Sequence, residues 1–360
     1  MAEIAPSIAT GEVRSPAASP AESRLRNSDL FLIIVAGCVG ILAGFGVIAI
    51  DELLVELHRL AFDLPAAAHL SDTTDLPLLR VLTMPILGGV LVGAASALLR
   101  RWRPREPVDA IEANALHGGR MSLGDSIGLV AVTLLSGGFG ASVGLEAGYT
   151  QLGAAMGSRL GRYLGLRRDD VRTLVGCGAA GAIAAAFNAP LAGAFYAFEL
   201  IVGSYTLQTL APIGMAALVG ALTGRALQGG NPIFVVYHHT DLTLPDYLVF
   251  FGIGLAAAGL GILVMKGVTV TEAAFRSLAV PRWARPAIGG LIIGVIALAC
   301  PQVLGSGHGA ILRELHWGFD LPLLLALIIA KAFGSAVSIG SGFRGGLFST
   351  SLSVSYTHLR

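Results

Sequence analysis

The chain has 360 residues, 54% of them hydrophobic and 13% charged, with a net charge of +1 and a mean hydropathy of +0.74. A soluble domain carries about 25% charged residues and a phosphate binder needs a basic excess, so a soluble globular enzyme, a disordered chain and a nucleic-acid partner are excluded. Glycine, at 48 residues, stands near twice the usual ~7% with no G-X-Y period, which points to closely packed transmembrane helices.

Residues 1–29 are rich in Ala, Ser and Pro and read as a disordered cytoplasmic tail. Leu30 to Ile50 follow without a charge. That run exceeds a signal-peptide core of about 7–15 residues and matches the ~20 needed to cross a bilayer. It is the first predicted span. Val81–Leu99 is the second. Ser126–Leu145 is uncharged up to Glu146, and Thr173–Phe198 is uncharged up to Glu199. Ile201–Gly224, Tyr247–Met265, Pro286–Leu312 and Leu321–Phe343 follow, the last broken by Lys331. No sustained alternation speaks for a β-barrel. The reading is an all-α, polytopic membrane protein of eight or more helices, some of which need not span fully.

Arginines mark the cytoplasmic side. Arg100, Arg101, Arg103 and Arg105 form one cluster, and Arg159, Arg162, Arg167, Arg168 and Arg172 another. The positive-inside rule places both with the N-terminal tail. Arg276, Arg282 and Arg285 are a weaker third candidate. Cys38, Cys177 and Cys300 lie far apart in apolar runs and suggest neither a disulfide nor a metal framework.

Two segments break the apolar pattern in the same way. Ser136 to Gly148 holds five glycines and the carboxylate of Glu146. Irregular backbone at membrane depth must line a cavity or be buried in protein. A helix starting near Glu146 would aim its free N–H groups, worth about half a positive charge, at that cavity and favour an anion. Ser338 to Thr350 has the same small residues and a Phe. Glu146 lies 116 residues past Leu30, and Phe348 lies 101 past Tyr247. Paired glycine breaks in two halves point to an internal repeat with a midplane site; two unrelated Gly-rich turns are the alternative.

Four further features take their meaning from context. Gly176 to Gly181 matches GxGxxG with Glu199 about 20 residues on, but no strand precedes it, so helix packing is the better reading. Gly124-Asp-Ser-Ile-Gly128 matches GxSxG without the strand a nucleophile elbow needs. His238 and His239, in a polar connection with Tyr237 and Asp241, read as solvated. Asn188 and Pro190 predict a structural helix break inside Thr173–Phe198, since Pro removes a donor and clashes with the preceding turn.

Together these residues resemble the CLC family of chloride channels and chloride/proton antiporters. Ala185-Ala-Phe-Asn-Ala-Pro-Leu-Ala-Gly193 followed by Glu199 carries the resemblance most strongly. Gly144-Leu-Glu-Ala-Gly148 stands where the family has GREGP or GKEGP, Gly345-Gly-Leu-Phe-Ser-Thr350 where it has GGxFxP, and Val303 to Gly309 is similar to a family loop. The resemblance covers about residues 30–354. It implies two inverted helical halves, about 30–228 and 245–354, with broken helices meeting at the midplane, in a homodimer with one pore per subunit. By the same resemblance Glu146 is the gating glutamate, and Gly144, Leu145, Ala147, Gly346, Leu347 and Phe348 surround the anion. The implied ligand is transported chloride or a similar anion. No cofactor, no metal and no enzymatic activity are expected, and the implied location is a bacterial inner membrane.

Some positions depart from the family pattern. Leu145 replaces a basic residue, Gly148 and Thr350 replace prolines, and Asp109 falls where a pore serine is expected, so Asp109 is left out of the site. After Phe348 the family continues through further helices, whereas residues 353–360 are polar; the chain reads as cut short, with 355–360 a non-native or truncated end. Leu200 stands where family antiporters carry an internal glutamate. The resulting expectation is a voltage-gated-type chloride channel. A chloride/proton antiporter, transport of another anion or organic solute, and an intramembrane hydrolase using Ser126 are the alternatives.

Overall fold

The computed structural model describes residues 29–64, 70–71, 76–102, 107–229, 243–307, 309–311 and 320–346. Among these residues lie eleven α-helices and no strand; one isolated backbone bridge joins Gly144 to Gly346. We number the helices α1 (Asp29–Phe62), α2 (Leu78–Trp102), α3 (Ala110–Leu116), α4 (Leu123–Gly138), α5 (Glu146–Tyr163), α6 (Arg168–Phe187), α7 (Pro190–Tyr196), α8 (Leu207–Gln228), α9 (Leu244–Ser277), α10 (Arg285–Ala299) and α11 (Leu321–Ser341). Six of them are long and apolar enough to cross a membrane: α1, α2, α6, α8, α9 and the Pro322–Ser341 part of α11. The chain is a multi-pass integral membrane protein.

The predicted first span ends at Ile50, yet α1 runs on to Phe62. Nothing between Asp51 and Phe62 breaks a helix, and Glu52, Glu56 and Arg59 on these last turns are exposed; the helix stops where Asp63 turns left-handed at φ 62°. The uncharged run Ser126–Leu145 is likewise not one helix. α4 ends at Gly138, Gly140 takes φ 86°, and a new helix begins at Glu146. Pro286–Leu312 breaks after Ala299, where Pro301 opens a short 3-10 turn to Val303.

The helices pack backbone to backbone where glycines let them. On α2, Gly89 faces the carbonyl of Pro286 and Gly93 that of Trp283, while Gly290 of α10 faces the carbonyl of Pro85. Gly153 of α5 and Gly178 of α6 face each other's carbonyls in the same manner. A single added Cβ at any of these positions would collide with main chain, so the small residues fix how close the axes come. Here the GxGxxG glycines of α6 serve packing: Gly178 meets α5 and Gly181 meets Gly40 and Ala216.

Four core regions result among the described residues. One gathers Val39, Leu174, Ile213 and Ala216 from α1, α6 and α8. A second gathers Val92, Ile293, Val303 and Val337 from α2, α10, α11 and the turn between the last two. Ala141 and Val143, between α4 and α5, belong to the second of these, and Leu145 packs with Val47 and Ala182 in another.

Candidate functional site

The predicted break at Asn188 is present. α6 closes at Phe187, Asn188 sits in the left-handed region at φ 51°, and Pro190 opens α7 at its first turn. Asn tolerates that conformation because its short polar side chain bonds locally, and Arg225 of α8 donates to its Oδ1. Pro at the first turn loses no helical bond. Beyond α7 the chain widens into a π-helical turn, Ala197–Val202, ending at Gly203 with φ 71°. Sequence reasoning did not foresee this turn, which has no residue signature of its own.

The central geometry lies at the other break. Gly144 and Gly346 exchange two backbone hydrogen bonds, N to O at 2.9 Å and 2.8 Å. Segments about 200 residues apart are thereby joined by main chain alone. Side chains reinforce the junction. The Ser142 amide donates to Ser338 Oγ at 3.0 Å, Ser142 Oγ pairs with Ser335 Oγ at 3.2 Å, and the Arg344 amide donates to Ser136 Oγ at 3.0 Å.

Glu146 begins α5 directly behind this junction and is 3% exposed. Its carboxylate lies against both glycines: a Cβ on Gly144 or on Gly346 would land on its oxygens. The same imagined Cβ on Gly346 comes within 3.4 Å of the Ala147 amide nitrogen. Leu145, the residue ahead of the helix, gives it no side-chain cap. The first-turn amides of α5 therefore open toward the Gly144–Gly346 junction. An N-terminus of this kind carries about half a positive charge. Of the residues expected at the site, Gly144, Leu145, Glu146, Ala147 and Gly346 come together; Leu347 and Phe348 lie outside the described residues. Asp109 caps α3, accepting from the Glu112 amide at 2.7 Å.

Two other sequence features lie in α4 and in the π-helical turn after α7. Ser126 lies inside α4, buried, where its Oγ accepts from Gln151 Nε2 at 3.0 Å. Its place within a helix removes the strand–turn–helix geometry of a nucleophile elbow. Glu199 is exposed and accepts from the Tyr205 hydroxyl at 2.9 Å; Leu200 beside it is also exposed. His238 and His239 lie outside the described residues.

Two buried polar arrangements escaped the sequence. Lys331, read as an interruption in an apolar run, is 4% exposed and its Nζ donates to the carbonyls of Gly305 at 2.6 Å and Val303 at 3.1 Å. Asp51, read as the residue after the first span, accepts from the Tyr149 hydroxyl and from Gln228 Nε2 at 3.3 Å. Tyr149 stands one turn past Glu146, at the i+3 position that shares its helix face. Had α1 been read through to Phe62, Asp51 would have stood out as a carboxylate inside a helix.

A family model described as voltage gated chloride channel matches residues 88–355. A putative chloride channel protein ClcB-like of Ralstonia nicotianae is 32% identical over 328 residues, covering 89% of this chain and 76% of its own. The voltage-gated ClC-type chloride channel ClcB of Citrobacter koseri is 31% identical, covering 89% and 77%. Among solved structures, a slow cyanobacterial Cl−/H+ antiporter superposes with a TM-score of 0.74 at 21% identity, over 90% of this chain and 76% of that one. A CLC-type fluoride/proton antiporter gives 0.74 at 23%, over 90% and 78%.

Proposed function

This chain belongs to the voltage-gated chloride channel (CLC) family, and on that premise we propose that it carries chloride or a similar small anion across a bacterial inner membrane, with Glu146 as the gate. The observation that carries the reading is the burial of the Glu146 carboxylate behind the Gly144–Gly346 junction, at the open N-terminus of α5. Amides of Leu145, Glu146 and Ala147 would serve either that carboxylate or an incoming anion. The two cannot share the place cheaply: like charges at 4 Å repel by about 4 kcal/mol at an effective dielectric of 20. Protonation or outward swing of Glu146 then frees the position. From the resemblance, Leu347 and Phe348 complete the anion's surroundings and a second copy of the chain completes a homodimer.

Passive conduction is the first mode we propose, because Leu200 offers no exchangeable proton and Glu199, its neighbour, is turned to an exposed tyrosine. Coupled exchange with protons is a second reading of equal standing. Both solved neighbours named above are antiporters, and a phenol–carboxylate pair, Tyr149 with Asp51, stands one turn from Glu146. Liposomes bearing the full chain separate them. Chloride efflux under a potassium-clamped potential tests transport itself; absence of efflux overturns the proposal. Uphill proton movement driven by the chloride gradient at a fixed ratio assigns exchange, and chloride movement without it assigns conduction.

A further inference from the structure

A second charged place lies away from Glu146. The C-terminal parts of α2, α9 and α11 and the start of α10 enclose a cavity of about 710 Å³. Five arginines, Arg100, Arg276, Arg282, Arg285 and Arg344, line it together with one acid, Glu272. They come from four separate parts of the chain. The weaker third basic stretch thus meets Arg100 of the first arginine cluster.

Structural duties absorb only some of this charge. Arg276 pairs with Glu272, and Arg285 donates to the carbonyls of Val280 at 3.2 Å and Arg276 at 3.4 Å. Helix C-termini attract cations, but each is worth about half a negative charge. The three that end here fall short of the four net positive charges of the lining. Among the described residues the guanidinium groups of Arg100, Arg282 and Arg344 hold no ion pair. A halide would occupy a small fraction of the space and use few of the donors. The volume is that of a small-molecule site, typically ~300–1,000 Å³, and guanidinium forks match the oxygens of phosphate in pairs.

We infer that this cavity binds a phosphate-bearing anion of two or more negative charges, presented from the arginine-rich side of the membrane. A soluble polyphosphate and the headgroup of an anionic phospholipid share that chemistry. The wall from Ile339 to Gly345 runs directly into Gly346, so an occupant held by Arg344 also braces the strand of chain that pairs with Gly144.

The test needs no transport activity and so fails independently of the gate assignment. Pyrophosphate binding to the full chain is measured by calorimetry in neutral detergent, then in nanodiscs of phosphatidylcholine with and without phosphatidylglycerol. Saturable binding is expected, weakened about tenfold or more by Arg282→Gln with Arg344→Gln, since losing a charge-assisted contact costs at least ~1.4 kcal/mol. Arg101→Gln, outside the cavity, serves as the matched control and leaves binding within twofold. Binding that survives phosphatidylglycerol assigns a soluble ligand. Binding abolished by phosphatidylglycerol in the parent assigns the headgroup. Absence of pyrophosphate binding in detergent, with no preference for phosphatidylglycerol over phosphatidylcholine in native mass spectra, overturns the inference. So does a double variant, folded by its melting profile, that binds like the parent.

Discussion

Gly144 and Gly346 hold each other through reciprocal backbone hydrogen bonds of 2.9 Å and 2.8 Å, and the Glu146 carboxylate rests on the side of both that carries no Cβ. The pairing needs no side chain from either residue; it needs their absence. A methyl group on either would displace the carboxylate rather than the main chain that makes the bonds.

Gly346→Ala is therefore expected to leave the chain folded and to change transport. With Glu146 pushed off its seat, chloride efflux at neutral pH and its response to acid should both differ from the parent. Efflux assays in liposomes beside a thermal melt check this. A melt lowered strongly with transport per folded molecule unaltered would show that the contact serves folding alone.

Glu146→Gln removes the charge at nearly constant shape. Efflux in the parent should rise as the outer solution is acidified, because protonation relieves the repulsion between carboxylate and anion. In the variant, efflux at neutral pH should equal or exceed the parent's acid value and lose its pH slope. An unchanged slope would remove Glu146 from the gate.

Lys331→Met replaces a buried amine donor by an apolar chain of similar length. The carbonyls of Val303 and Gly305 lose their shared donor. A buried acceptor left without its donor costs about 1–3 kcal/mol, so unfolding should come at lower concentrations of denaturing detergent by that order. Glutamine, which can still donate one bond, should recover part of it.

Tyr149→Phe leaves Asp51 with Gln228 and without its phenol. A carboxylate buried with one partner fewer costs about 1–3 kcal/mol. Asp51→Asn together with Tyr149→Phe should cost less than the two single changes summed, and a double-mutant cycle on the melting transition measures the difference.

Asn188→Ala puts into the left-handed region, at φ 51°, a side chain without the short polar group by which Asn bonds locally and offsets part of a strain of about 1–2 kcal/mol. Asn188→Gly keeps the backbone at ease and loses the Arg225 contact alone. The glycine variant should therefore be the more stable of the two, as a comparison of melting midpoints would register.

The legible parts of this molecule were those where one residue contradicts its surroundings. Glu146 in an uncharged, glycine-rich run and Asn188-Ala-Pro190 in an apolar helix each announce an irregular backbone, and a helix start and a helix break stand there. Less legible were features made by partners distant in sequence. Asp51 has meaning through Tyr149, 98 residues away, and Arg344 through Ser136, 208 residues away. The length of α1 was missed for another reason: its last turns lie past the apolar run, and hydropathy says nothing about a helix that continues into polar surroundings.

The meeting of α2 with α10 also bears on how the protein is made. Gly89 and Gly93 are inserted early, while Pro286 and Trp283, whose carbonyls they face, follow about 190 residues later. At a synthesis rate of roughly 5–20 residues per second, α2 waits on the order of 10–40 seconds for its partner. During that interval its glycine groove lies open to lipid or to a chaperone, and the nascent chain passes through a stage in which one half of the eventual contact surface is exposed without its match.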